Sequence, residues 1–143
     1  MNKHGNLHRI MLFVILFAGF GLGLGLPALH RHMDREHTKK VFHVGQELVR
    51  AERAFYEKNH YYTADFASLL PSENVCKQSV KDNQSVLLCP GYVLGLEDAQ
   101  ILHAQSTKYP QWFSFPLEGN GGPSCGYEDG SLVGPQLCAA VHL

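Results

Sequence analysis

The sequence predicts an α+β fold, with one long N-terminal helix packed on a small antiparallel β-sheet. Three observations predict it: an uncharged apolar run near the N-terminus, a helical stripe continuing from it, and short apolar segments separated by turn residues in the C-terminal half. The chain has 143 residues, 45% of them hydrophobic, and its 12 basic and 13 acidic side chains leave a formal net charge of −1. That balance gives no electrostatic reason to bind nucleic acid, because phosphate-binding domains carry a basic excess. The part after the apolar run, about 110 residues, suffices for one small core and not for two.

Ile10 to Leu29 is a run of 20 residues without a charge, IMLFVILFAGFGLGLGLPAL. At a helical rise of about 1.5 Å per residue it spans roughly 30 Å, the hydrocarbon thickness of a bilayer. A cleavable secretory signal is the competing reading, with MNKHGNLHR as its basic leader, but the run is long for such a signal and no A-x-A pattern follows it. A retained single-pass segment is therefore expected. Counting positive charges gives Lys3 and Arg9 before the run against Arg31, Arg35, Lys39 and Lys40 after it, which alone would put the C-terminal part inside the cell.

The cysteines argue the other way. Cys76, Cys89, Cys125 and Cys138 all lie after the apolar run, and each successive pair is separated by 13 positions. An even set in a small domain predicts two disulfides in an oxidising compartment, with the N-terminus cytoplasmic and the head outside. Four cysteines allow three pairings, of which Cys76–Cys89 with Cys125–Cys138 is favoured. Each closed loop then stabilises by about 3 kcal/mol in the chain-entropy account. A four-cysteine zinc site is not expected, since such sites place cysteines two to four residues apart.

Beyond the run, Val41, Val44, Leu48, Ala51 and Phe55 recur at steps of three and four, flanked by Phe42, Gly45, Val49 and Tyr56. This is one buried face of a helix, with Arg35, Glu36, Lys39, Lys40, Glu47, Arg50, Glu57 and Lys58 on the rest. From Leu29 to Lys58 there is no proline and one glycine, so the helix is expected to run to Asn59, where Asn-His begins a turn. With the apolar run included the rod would be about 75 Å long, more than a small head can cover. Its first half must then lie in lipid or against other helices. Pro27 and the preceding Gly19, Gly21, Gly23 and Gly25 weaken the helix locally. The pairs Gly19/Gly23 and Gly21/Gly25 also permit close helix approach in lipid.

From Pro71 on, the helical period gives way to short apolar segments: Val86 to Cys89, Tyr92 to Leu96, Gln100 to Ala104 and Trp112 to Phe115. Turn residues separate them at Cys89-Pro90-Gly91, Glu97-Asp98, Tyr109-Pro110 and the glycine-rich stretch from Glu118 to Pro123. Four antiparallel strands burying one face against the amphipathic half of the helix are expected. The tail from Ser124 to Leu143 has weak strand character, and its disulfide would pin it to the sheet edge.

Catalytic patterns are scarce. His30, His32 and His37 with Asp34 and Glu36 invite a metal reading, but His32 does not share a helical face with the other two and no HExxH spacing occurs. Lipid headgroups beside the membrane are the simpler surroundings for that patch. Ser124 lies in no G-x-S-x-G elbow, and Gly119, Gly121 and Gly122 precede no Lys-Ser/Thr of a phosphate loop. No CxxC supports thiol redox chemistry. Asn83-Gln-Ser85 matches a glycosylation acceptor. Tyr61, Tyr62, Trp112 and Phe113 are expected in the core more than on a sticky surface. An enzyme would need a polar pocket gathering several of His60, His103, Asp65, Glu97 and Asp98, and nothing in the sequence announces one. No catalytic, cofactor or metal residue is assigned.

Taken together, the residues resemble the type IV pilin and type II secretion pseudopilin family. Gly5 precedes Pro27 by 22 residues, the family's spacing from the prepilin-peptidase glycine to the helix proline, and Lys3 supplies a basic leader. Ala51-Glu-Arg-Ala-Phe-Tyr-Glu-Lys-Asn-His-Tyr-Tyr-Thr-Ala-Asp65 is similar to the A-x-x-x-Y-Y-x-x-N-x-x-Y-T-x-D pattern that closes the long helix of many pilin-like proteins. The stretch Cys125 to Cys138 resembles the disulfide-bounded C-terminal loop of pilins. The resemblance implies a leader 1–5 cleaved between Gly5 and Asn6 by prepilin peptidase, a transmembrane half 6–29, an amphipathic half 30–59 and a head 60–143. It further implies a structural subunit, not an enzyme, that partners other pilin or pseudopilin subunits. Such a subunit sits in the inner membrane before it joins a periplasmic or cell-surface filament.

After the glycine the family carries Phe-Thr-Leu-Ile-Glu, whereas this chain has Asn6, Leu7, His8, Arg9 and Ile10. The glutamate that neutralises a neighbouring subunit's N-terminal amine is missing, which points toward a minor, tip or initiating subunit. A monomeric membrane-anchored binding module outside the cytoplasmic membrane is the alternative.

Overall fold

The computed structural model describes residues 3–70 and 76–143, with side-chain surroundings from Arg9 onward except Leu24. Helix α1 is Lys3–Asn59 and includes Pro27. It is followed by α2 (Phe66–Leu69), then β1 (Lys77–Lys81), β2 (Gln84–Cys89), β3 (Tyr92–Glu97), β4 (Ile101–Ser106), β5 (Gln111–Pro116), β6 (Ser124–Tyr127) and α3 (Gly134–Ala140). The chain divides into two units, one up to Asp34 and one from Arg35 to Leu143.

In the first unit, the large apolar residues from Ile10 to Leu29 whose surroundings are described are exposed, Phe17 at 76% and Phe20 at 71%. A Cβ added at Gly19, Gly21, Gly23 or Gly25 would meet nothing within 4 Å. Leader residues Met1 and Asn2 lie outside the described residues, and the backbone at Gly5 and Asn6 is helical.

In the second unit, the amphipathic half of α1 covers one face of a six-stranded antiparallel sheet whose order follows the chain, β1-β2-β3-β4-β5-β6. The α+β class and the helix-on-sheet layering are thus as expected, but there are six strands and not four. β1 (Lys-Gln-Ser-Val-Lys) and β6 (Ser-Cys-Gly-Tyr) hold few apolar residues and so form no apolar run. Gln100, expected in a strand, lies in the turn before Ile101. The hairpin turns are short for identifiable reasons. Asp82 and Asn83 both take positive φ, 51° and 62°, as the two-residue turn between β1 and β2 requires. Between β2 and β3, Pro90 is followed by Gly91 at φ 77°.

The core forms where α1 meets the sheet. Val41, Val44 and Leu48 are buried against Leu87, Leu94, Leu102, Ala104, Phe113, Phe115 and Leu117, each large side chain contributing about 1.5–3 kcal/mol. Phe42 lies 5.3 Å from the Phe113 ring and 5.5 Å from that of Phe115. Gly45 is what allows this approach, since a Cβ there would stand 2.4 Å from the Phe115 ring.

The buried stripe is rotated from the predicted one. It keeps Val41, Val44 and Leu48 but runs on through Thr38, Gly45 and Glu52, whereas Ala51 and Phe55 are half-buried and Tyr56 is exposed. Contact at Gly45 tips the helix toward that side, because the sheet can come nearest where no side chain intervenes.

Both disulfides form, Cys76–Cys89 and Cys125–Cys138. The first joins the chain entering β1 to the end of β2. The second ties edge strand β6 to α3. The tail is therefore a strand and a helix, not the weak strand expected throughout. Gly-Pro opens α3 with proline at its start, where a missing N–H costs nothing. Gly134, Leu137 and Cys138 are its buried residues.

Candidate functional site

The surface that stands out is the apolar segment Ile10–Leu29. α1 is the one helix among the described residues that is long and apolar enough to cross a membrane. The predicted packing residues Gly19, Gly21, Gly23, Gly25 and Pro27 lie on this segment and carry no contacting neighbour that an added Cβ at the glycines would touch. A helix apolar all round is a stable surface only in lipid or among other apolar helices.

The residues of the helix-closing motif are brought together at the end of α1. After Asn59, His60 takes φ 61° and the chain reverses. Two ring pairs clasp that reversal: Phe55 with Tyr61 edge-on at 5.3 Å, and Tyr56 stacked on Tyr62 at 4.7 Å. Glu52 adds the third fastening, its Oε2 accepting the Thr63 N–H at 3.0 Å. Glu52 is fully buried, and its Oε1 has no hydrogen-bond partner. Burial pushes its carboxyl above the ordinary 4.5, against the lowering effect of the Thr63 bond. Sequence reasoning passed over Glu52. The signal was its position, four after Leu48, on the stripe that begins at Thr38. Tyr62 is likewise raised, first by burial and then by the Glu118 carboxylate.

A buried polar chain crosses the core beneath the helix. Tyr92 donates its hydroxyl proton to Gln111 Oε1 at 2.5 Å, leaving the phenolic oxygen to accept from Thr38 Oγ1 at 2.9 Å. Gln111 Nε2 in turn donates to Cys125 Sγ at 3.3 Å. α1, β3, β5 and the disulfide on β6 are thereby linked without a charge.

The sheet face opposite α1 holds an open groove of about 610 Å³. Val86, Val93 and Gly95 form its floor, and Lys81, Glu97, Asp98, His103 and Gln105 are among its walls. Three of the five residues that an enzyme reading would need, His103, Glu97 and Asp98, thus meet here, whereas His60 and Asp65 are exposed elsewhere. The geometry is not that of a nucleophile and its base. Ser114 Oγ at 3.4 Å and Glu97 Oε2 at 3.7 Å both approach the same ring nitrogen, His103 Nδ1. A relay needs the hydroxyl on one nitrogen and the carboxylate on the other. Among the described residues no group of three or more His, Cys, Asp or Glu could hold a metal ion. Of the aromatics expected in the core, Phe113 is buried and Tyr62 and Trp112 half-buried, but Tyr61 is 58% exposed.

These features define a class of α+β protein in which a helix long and apolar enough to cross a membrane, its apolar segment exposed, precedes a disulfide-tied head. Comparison with known proteins finds no similar family model, curated protein or solved structure.

Proposed function

We propose that the chain is a structural subunit of the pilin or pseudopilin type, held in the inner membrane by residues 6–29 and assembled through that helix with related subunits. The observation that supports this reading best is the exposed apolar segment from Ile10 to Leu29, whose surface calls for about 25 cal/mol per Å² of burial elsewhere. The clasped turn after Asn59 gives the motif Ala51 to Asp65 a physical role, the fixed exit of the chain from helix to head. With Ile10 where the family has glutamate, a minor or tip position suits it, since a subunit with no neighbour above has no amine to neutralise. Processing by prepilin peptidase between Gly5 and Asn6 would precede assembly, and the head would stand in the periplasm or at the cell surface.

Single cysteines placed at Phe13, Phe17 and Phe20 for in-cell cross-linking, with mass spectrometry of the mature N-terminus, test the proposal. Cross-links to other pilin-like subunits and a chain beginning at Asn6 are expected. A Met1-started chain that never cross-links favours the second reading, a monomeric anchored binding module. The 610 Å³ groove on the open sheet face is the feature that suits it, being within the size range of ligand pockets.

A further inference from the structure

We propose that the Asn120–Gly121 peptide is a self-modifying site, at which the Asn120 amide becomes a carboxylate without an enzyme. In this reaction the Gly121 main-chain nitrogen gives up its proton to hydroxide and attacks Asn120 Cγ. An N–C bond forms and ammonia leaves with the departing C–N bond. Water then opens the cyclic imide at either carbonyl, giving aspartate or, with one extra methylene in the main chain, isoaspartate. Nothing is oxidised or reduced, and water is the only co-reactant.

The obstacle is geometric, since the main-chain nitrogen must reach the preceding side-chain carbon. Three features remove it. Asn120 is the one asparagine in the sequence followed by glycine, the residue that leaves the backbone freest to bend. Both residues are exposed, in the strap from Leu117 to Pro123 that joins β5 to β6. Among the described residues neither main-chain nitrogen is tied in a hydrogen bond, unlike the amides of the flanking strands. Asn59 is the contrast, with its side-chain nitrogen donating to Phe55 O at 3.0 Å and a histidine after it.

The position gives the product a consequence. The strap is anchored at its start by Arg53, whose Nε donates to Leu117 O at 3.0 Å and whose Nη2 donates to Pro116 O at 3.3 Å. Gly121 borders a cleft of about 220 Å³ together with Arg50 and Arg53. Conversion adds a negative charge on the residue next to one that borders this cleft and, in the isoaspartate form, lengthens the strap. The strap thus carries a record of the protein's age in its charge.

The test incubates the full-length chain in detergent at mildly alkaline pH, followed by peptide mapping and isoaspartyl methyl-acceptor labelling. The peptide containing Asn120 is expected to gain the amide-to-acid mass and accept methyl groups, Asn120→Gln to abolish both, and Gly121→Ala to slow them manyfold. A Cβ at 121 meets only Pro116, at 3.5 Å and 3.8 Å, so Gly121→Ala alters the chemistry and not the packing. If the folded chain stays unconverted while a free peptide of residues 117–123 converts under the same conditions, the fold protects the site and the proposal fails. Equal conversion in the Asn120→Gln chain overturns it as well.

Discussion

Glu52 offers the sharpest test of how the helix end is held. Its carboxyl is fully buried, one oxygen fastening Thr63 and the other bare. Because burial raises its pKa in the folded state above 4.5, the folded protein binds a proton that the unfolded chain has already released. Its stabilising contribution is therefore complete below pH 4.5 and is lost as pH rises through the folded-state pKa. Within that window the folded-to-unfolded ratio falls by up to tenfold per pH unit. Glu52→Gln keeps an acceptor for the Thr63 N–H and cannot ionise, so its stability should stay flat across the window and match or exceed the parent's at neutral pH. Glu52→Ala removes the acceptor and leaves a void, and should lose about 1–3 kcal/mol at every pH. Urea unfolding of the full chain in detergent, followed from below pH 4.5 upward to neutral pH, measures all three. A parent and a Glu52→Gln chain with the same pH slope would refute the reasoning. So would a Glu52→Gln chain as unstable as Glu52→Ala.

Other outcomes follow from single contacts. Gly45→Ala forces a Cβ to within 2.4 Å of the Phe115 ring and should cost about 1–3 kcal/mol of overpacking despite its better helix propensity, as thermal unfolding would report. In Gly126→Ala the new methyl meets the Trp112 ring at 2.4 Å. Trp112 is the sole tryptophan, so its emission should shift with the displaced ring before any unfolding. Changing Cys125 and Cys138 to serine together removes a closed loop worth about 3 kcal/mol, and proteolysis should then cut first between Tyr127 and Gly134. Tyr92→Phe deprives Gln111 Oε1 of its donor and should cost about 1–3 kcal/mol, visible as a lower denaturant midpoint.

The parts of the fold legible in the sequence were those carried by repeated apolar residues or by backbone chemistry. The long helix and its end at Asn59 follow from periodicity and turn residues. The hairpin at Pro90-Gly91 follows from the φ values that proline and glycine supply. What escaped was polar or sparse. β1, Lys-Gln-Ser-Val-Lys, has one large apolar residue and serves as a charged edge, so alternation could not reveal it. Glu52 and Thr38 escaped because the helical stripe was traced through apolar residues, while the position of Gly45 decided which side faced the sheet. Of the site residues, the cysteine pairs were set by their equal spacing. The gathering of His103, Glu97 and Asp98 depends on the register of β3 with β4, Gly95 opposite His103 and Glu97 opposite Ile101, which no local pattern records.

Every strand pairs with its neighbour in the chain, so loop closure between partners is short throughout, a topology that favours rapid assembly. The hairpins can zip in the order in which the residues are synthesised, each needing nothing from the segment still to come. The clamp of α3 onto β6 needs the chain as far as Cys138 as well as an oxidant, so it closes last, locking a sheet whose strands are already paired.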